Sequence, residues 1–183
     1  MKKYFVLLLA MLMLVPCFSA IAEGTATPLP MNVAFSMDYE TLRTTLGKDA
    51  VEDLWDEGTG TLMLEQCAIG IGTLQADSIN FQVDRNNSDK ASRLSQISIN
   101  LPTSEKSIAS FREALAALTD MYGQPDSDPF DAASVESYVE YGGLSATWTK
   151  PDVRISLSLS RMFQESINLD FTNRLCYSAD DLK

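Results

Sequence analysis

The sequence predicts an α+β protein, built as two tandem helix-plus-antiparallel-strand repeats forming one sheet with its helices on one face. Three observations predict it. Phe35, Tyr39, Leu42, Leu46 and Gly47 stand 76 positions before Phe111, Leu115, Leu118, Tyr122 and Gly123. The same offset carries Ile79, Phe81 and Val83 onto Ile155, Leu157 and Leu159, so a helical stripe, its glycine stop and an alternating strand recur together. Finally, the strand segments alternate apolar with polar residues, which gives the sheet one buried and one wet face.

Residues 1–22 read as a signal peptide. Lys2 and Lys3 precede an apolar run over residues 5–15, and Ala20-Ile21-Ala22 forms a small-residue cleavage site before Glu23. The run is shorter than the ~20 apolar residues that span a bilayer, and no second one follows. A soluble, secreted or extracytoplasmic protein is expected, with no integral membrane segment after cleavage. Pro16 stands where a lipoprotein signal takes a small residue, which disfavours lipid anchoring through Cys17.

Residues 23–34 are small, Thr- and Pro-containing, and are expected to form a flexible lead-in. The first repeat, 35–102, opens near Ser36 with a helix whose stripe Phe35, Tyr39, Leu42 and Leu46 ends at Gly47. Val51, Leu54 and Trp55 suggest a short second helical turn before Gly58-Thr59-Gly60 breaks it. Strands follow at 61–67, 79–84 and 96–101, the last two joined as a hairpin across the polar turn 85–90.

The second repeat, 103–175, begins after Pro102. Thr103 or Ser104 can cap its helix, with Glu105 in the first turn. Ile108, Phe111, Leu115, Leu118 and Tyr122 form a stripe for docking on a sheet, and Gly123 and Pro125 stop it. After an acidic loop (Asp126, Asp128, Asp131), strands are expected at 135–141, 144–149, 153–160 and 166–171. The tail, 176–183, has no clear period.

Alternation puts Asn80, Gln82, Asp84, Ser98, Asn100, Arg154, Ser156, Ser158, Asn168 and Asp170 on the wet sheet face. With Trp55 at an edge, where an indole serves binding, these residues make the expected protein-binding surface. The net charge of −11 becomes −13 once residues 1–22 are removed, because that piece holds two lysines and no acids. Such a balance argues against nucleic acid and anionic lipid, both of which call for Lys and Arg. Cys67 and Cys176 remain; export permits a disulfide between them, and two buried thiols are the alternative.

The run Leu-x-x-x-Tyr-Gly-Gln-Pro over 118–125 at a helix end, then Ala146-Thr147-Trp148, Ile-Ser-Leu-Ser-Leu over 155–159 and Ile-Asn-Leu-Asp-Phe over 167–171 resembles the BamE (SmpA/OmlA) and β-lactamase-inhibitor-protein superfamily. The tandem copy is similar to the inhibitor proteins, which use two such units. The resemblance covers most of the chain after residue 22. It implies a non-enzymatic, extracytoplasmic protein that binds another protein on its sheet.

Catalytic and ligand signatures are missing from the sequence. There is no histidine, which removes Ser-His and Cys-His activation and the commonest zinc ligand. Lys106 and Lys150 have Thr103 and Thr147 where a Ser-x-x-Lys dyad needs serine. The acidic groups Glu52, Asp53, Asp56, Glu57 and Asp126, Asp128, Asp131 could support glycoside hydrolysis, but they read more simply as solvated loop and helix-end charges. Asp84-x-Asn86-x-Ser88 starts like a calcium loop, yet Asp89 and Ser95 replace the glycine and glutamate that it requires. Gly58-Thr59-Gly60 and Gly70-Ile71-Gly72 lack the lysine of a phosphate loop. No catalytic residue, cofactor or metal is assigned.

The expected function is therefore an exported, non-catalytic protein-interaction module that binds an envelope or secreted protein through its sheet face and loops. The alternative is a small cell-wall glycan-binding or glycan-hydrolysing protein that uses Trp55 and the acidic loops. Exposed aromatics in a cleft beside paired carboxylates would favour glycan chemistry. A broad polar sheet favours protein binding, and a uniformly Ser- and Asn-rich one favours a spacer with no tight ligand.

Overall fold

The computed structural model describes residues 26–86, 89–103, 107–161 and 165–176. The signal segment 1–22 with Cys17, the capping candidates Ser104 and Glu105, Ser88 of the Asp84-x-Asn86-x-Ser88 run, and the tail 177–183 lie outside the described residues.

The elements run α1 (Tyr39–Leu46), β1 (Val51–Asp56), β2 (Thr59–Ala68), β3 (Gln75–Arg85), β4 (Ser92–Leu101), α2 (Ser107–Tyr122), α3 (Ala132–Tyr141), β5 (Gly143–Thr149), β6 (Val153–Ser160) and β7 (Ser166–Asn173). The seven strands form a single antiparallel sheet in the order β1-β2-β3-β4-β7-β6-β5. The protein is thus α+β, with three α-helices among the described residues beside one sheet. Among the described residues no helix is long and apolar enough to cross a membrane.

Register aligns the buried residues across the sheet. Leu62, Phe81, Ile97, Phe171, Ile155 and Trp148 oppose one another directly from β2 through to β5, and all six are fully buried. A parallel row, Leu64, Ile79, Ile99, Leu169, Leu157 and Ala146, lies beside it. Onto these rows α1 brings Tyr39 and Leu42 and α2 brings Phe111, Ala114, Leu118 and Tyr122. Burying a Leu- or Phe-sized side chain contributes about 1.5–3 kcal/mol, so these rows dominate the folding energy.

The helix ends are set by local chemistry. Asp38 caps α1 by accepting from the Thr41 amide at 2.8 Å, and Gly47 closes it at φ +82°, a conformation that disfavours other residues. The Asp38 carboxyl is held below its usual range by these Thr41 hydrogen bonds. At the far end of α2, Trp148 Nε1 donates to the Gly123 carbonyl and Lys150 Nζ to the Tyr122 carbonyl, each at 2.7 Å. Carbonyls that a helix C-terminus leaves unpaired are thereby tied to β5 and the turn after it.

Three expectations are corrected. Residues 51–56 form a strand rather than a second helical turn, because Glu57-Gly58 makes a tight hairpin turn, with Gly58 at φ +72°. Gly60 opposite is also obligatory: a Cβ there would lie 2.4 Å from the Asp53 carbonyl oxygen. Residues 135–141, expected as a strand, belong to helix α3, which Asp131 caps through the Ser134 amide (2.7 Å) and Gly142 ends in the left-handed region. Val135, Tyr138 and Val139 keep helical spacing, and only Tyr138 packs against the core.

The third correction concerns the lead-in. From Thr27 to Met37 the chain is strapped across the molecule at four points. Thr27 donates to Asp152 from both its amide (3.0 Å) and its hydroxyl (2.6 Å), and the Tyr122 hydroxyl donates to the Pro28 carbonyl at 2.8 Å. Further on, the Met31 amide reaches the Ile69 carbonyl and the Leu94 amide reaches the Met37 carbonyl. Val33 is buried, with Leu29, Met31 and Phe35 packed against the core. Apolar side chains at these spacings outweigh the small, proline-rich composition.

Burial disfavours the Asp152 carboxylate, but its hydrogen bonds from Thr27 and its own amide outweigh that and lower its pKa. A lowered carboxyl pKa adds stability above the ordinary value near ~3.9, and that stability is lost as pH falls through the folded value. Asp152→Ala should therefore cost about 1–3 kcal/mol at pH 7 in urea denaturation. The gap between wild type and variant should close in acid below the ordinary carboxylate range.

Candidate functional site

On the sheet face away from the helices, register gathers the expected polar residues into adjacent rows. Met63, Asn80, Ser98, Asp170, Ser156 and Thr147 form one row. Thr61, Gln82, Gln96, Thr172, Arg154 and Thr149 form the next, and Glu65, Ser78, Asn100, Asn168, Ser158 and Ser145 flank the first on its other side. Asp84 lies beyond Gln82 on β3, opposite Arg93. The ten sheet residues share this face, while Trp55 stands apart on β1.

Neighbours on the face satisfy one another. Asp84 Oδ2 accepts from Gln82 Nε2 at 2.7 Å and from Ser95 Oγ at 2.8 Å. Asp170 Oδ1 accepts from Ser98 Oγ at 2.7 Å and Gln96 Nε2 at 3.4 Å, and Gln96 also donates to Ser98. Asn100 donates to Ser78, and Asn168 to Ser166. A ligand on this surface would exchange existing hydrogen bonds for new ones at little net gain. Arg154 is the only cation among the ten residues and there is no aromatic, so the middle of the face lacks the side chains that usually anchor an interface.

The two sheet edges differ. At one edge, the loop after α2 closes onto β5: the Asp126 amide donates to the Thr147 carbonyl at 2.7 Å, and Thr149 Oγ1 donates to Asp126 Oδ2. At the other, all six residues of β1 are exposed, and among the described residues nothing hydrogen-bonds the backbone on its outer side. Val51, Leu54 and Trp55 are 58%, 59% and 52% exposed. Around them, Glu52 pairs with Arg43, and Asp56 with Arg85 at 3.4 Å. Asp53 and Glu57 have no ion-pair partner among the described residues.

Sequence reasoning missed this edge because Val51, Leu54 and Trp55 fit a three-four spacing. The signal that identifies it is the Glu57-Gly58 turn between two β-compatible runs. Trp148, by contrast, is fully buried. The acids of the second cluster are spent on local structure: Asp126 takes the Thr149 hydroxyl, Asp128 the Phe130 amide and Asp131 caps α3.

A depression of about 530 Å³ opens where β4 ends and β7 begins, with Asp77, Glu165, Asn100 and Asn168 on its walls. No aromatic lines it, and Trp55 is not among its walls. Among the described residues no three His, Cys, Asp or Glu side chains cluster to hold a metal.

Cys67 and Cys176 are both free thiols. Cys67 opposes Ala76 near one end of β2, whereas Cys176 sits by Leu94, in the row of Val83 and Gly60 near the other end. Seven residues of strand separate those rows, about 23 Å at ~3.3 Å each, against the ~4.4–6.8 Å between Cα atoms that a disulfide needs. Burial pushes both thiols up in pKa. The chain beginning at Glu23 should show two thiols by Ellman titration in denaturant. In the native state at pH 7 both should react slowly, Cys67 ahead of the more buried Cys176.

Tyr39 Oη is the one buried side-chain polar atom with no hydrogen-bond partner among the described residues. Burial raises the pKa of this phenol, and the carboxylate of Glu52 on β1 raises it further. Its hydroxyl bears a desolvation cost with no bond in return, so Tyr39→Phe should raise stability by about 1 kcal/mol in urea titration.

Comparison with protein-family models, with curated proteins and with solved structures finds no match to this chain.

Proposed function

We propose that this chain is an exported, non-catalytic protein-interaction module that binds another extracytoplasmic protein, with β1 and the rows beside it as the contact surface. The carrying observation is the open β1 edge, where Val51, Leu54 and Trp55 stand in solvent next to unpaired backbone. Exposed tryptophan is among the strongest interface anchors. A free strand edge adds directional hydrogen bonds that a partner strand can complete.

Two further readings belong to the proposal. One is the tandem-repeat organisation, supported by the mirrored strand order, in which β2-β3-β4 meets β7-β6-β5 at the centre. The other is the likeness to the BamE and β-lactamase-inhibitor superfamily, which rests on the sequence runs around Tyr122, Trp148, Leu157 and Leu169. The glycan reading calls for an aromatic in a cleft beside paired carboxylates. Trp55 is instead on an open strand, which favours protein binding.

The test is site-specific photo-crosslinking in the native organism's envelope and culture fluid, with the probe at position 55 or at position 158 in the middle of the polar face. A discrete protein adduct from position 55, reduced at least tenfold from position 158, is the expected result. With that partner in hand, Trp55→Ala should weaken binding by about 30-fold, as a hot spot of ~2 kcal/mol does. Adducts from 158 alone would move the contact to the sheet centre, and none from either position would leave a spacer.

A further inference from the structure

The interaction reading leaves open what fits the β1 edge, and the charges around it decide. Residues 51–57 carry four carboxylates, Glu52, Asp53, Asp56 and Glu57. Arg43 and Arg85 neutralise two of them, and Asp53 and Glu57 are left over. A second β1 strand laid against the first would bring six carboxylates onto two neighbouring strands, with the two Glu57 side chains in the adjoining turns. Like charges directly opposite each other destabilise a strand pair, so self-association is disfavoured. The register shift between Leu54 and Asp56 twists the edge and limits the partner to a short strand.

We infer that β1 docks an extended, lysine- or arginine-bearing segment of another protein by strand addition. Rows of the partner's alternating side chains would have two surroundings. Basic ones would meet Asp53, which shares the polar face with Val51, and Glu57 just past the strand end, and apolar ones would cover Leu54 on the opposite face, with Trp55 beside it at the register shift. Backbone hydrogen bonds on the outer side of β1 would supply affinity independent of sequence, and the acids would supply selection. This inference rests on the interaction reading and specifies the partner's chemistry.

Three ten-residue peptides provide the test: alternating Lys and Val, alternating Glu and Val, and alternating Lys and Pro. The last keeps the charge but cannot form a strand ladder. Binding is read in the intact protein from the emission of Trp55, with buried Trp148 as a constant background and Trp55→Phe to confirm the assignment. Hydrogen exchange of the amides at 51–56 gives a second readout. The Lys-Val peptide should shift Trp55 emission to the blue and protect β1 amides. Its affinity should fall at least tenfold for the Glu-Val and Lys-Pro peptides, and at least tenfold in the variant D53K/E57K, whose replaced side chains are exposed.

Equal binding of Lys-Pro would reduce the interaction to bulk charge attraction, and equal binding of Glu-Val would remove the charge selection. Either overturns the inference, as would a concentration-dependent dimer, seen by sedimentation, that the D53K/E57K variant abolishes. A partner crosslinked from position 55 together with no Lys-Val binding would overturn this inference alone. Loss of the crosslink itself would overturn the interaction reading beneath it.

Discussion

The pairing of β4 with β7 is the constraint on which the rest of the structure depends. It sets Ile97 against Phe171, Ile99 against Leu169 and Leu101 against Ile167, so the apolar rows of the two halves become continuous across one sheet. A slip of one residue there would turn the whole apolar set of one half toward water. The same register fixes the other face, where Ser98 meets Asp170 and Asn100 meets Asn168. Core and polar surface are thus two readings of one alignment, and neither can shift alone.

Because the halves meet through their last strands, their outer strands become the two edges of the sheet. The chain treats them differently. Asp126 from the loop after α2 occupies a carbonyl of β5, and α3 lies alongside. Among the described residues no strand other than β2 pairs with β1. The strap from Thr27 to Met37 spends its hydrogen bonds on Asp152, Tyr122, Ile69 and Leu94 instead, anchoring both halves while leaving that edge open. An asymmetric molecule results from a nearly mirrored strand order.

Alternation made the large features legible. The apolar positions 79, 81, 83, 97, 99, 101, 155, 157, 159, 167, 169 and 171 are all buried, and the polar positions between them share the opposite face. Spacing of three and four found the stripes of α1 and α2, and glycine found their ends. What misled the reading is equally physical. On β1 no face is buried, so there is no alternation to detect, and apolar residues at 51, 54 and 55 mimic a helix. On α3 the helix is almost unburied, so caps at Asp131 and Gly142 carry the signal that hydrophobicity does not. In both places the segment's structure is set by turns and caps rather than by a core, and the candidate site lies on one of them.

β1 buries none of its six side chains, so hydrophobic burial does not explain why it is there. Its ladder to β2 and the exposed pairs Arg43–Glu52 and Arg85–Asp56 hold it, and such pairs contribute only about 0–1 kcal/mol each. One structural role is evident: without β1, the ten-residue β2 would become a long free edge prone to unwanted pairing. That role calls for polar, charged residues, and Glu52, Asp53, Asp56 and Glu57 meet it. It does not call for Val51, Leu54 and Trp55 in water, since each raises the risk that a cover strand should lower. Acids that repel a second copy, set beside apolar groups that attract a strand, form a combination that edge protection alone leaves unexplained. Selective docking of an oppositely charged strand accounts for both halves of it.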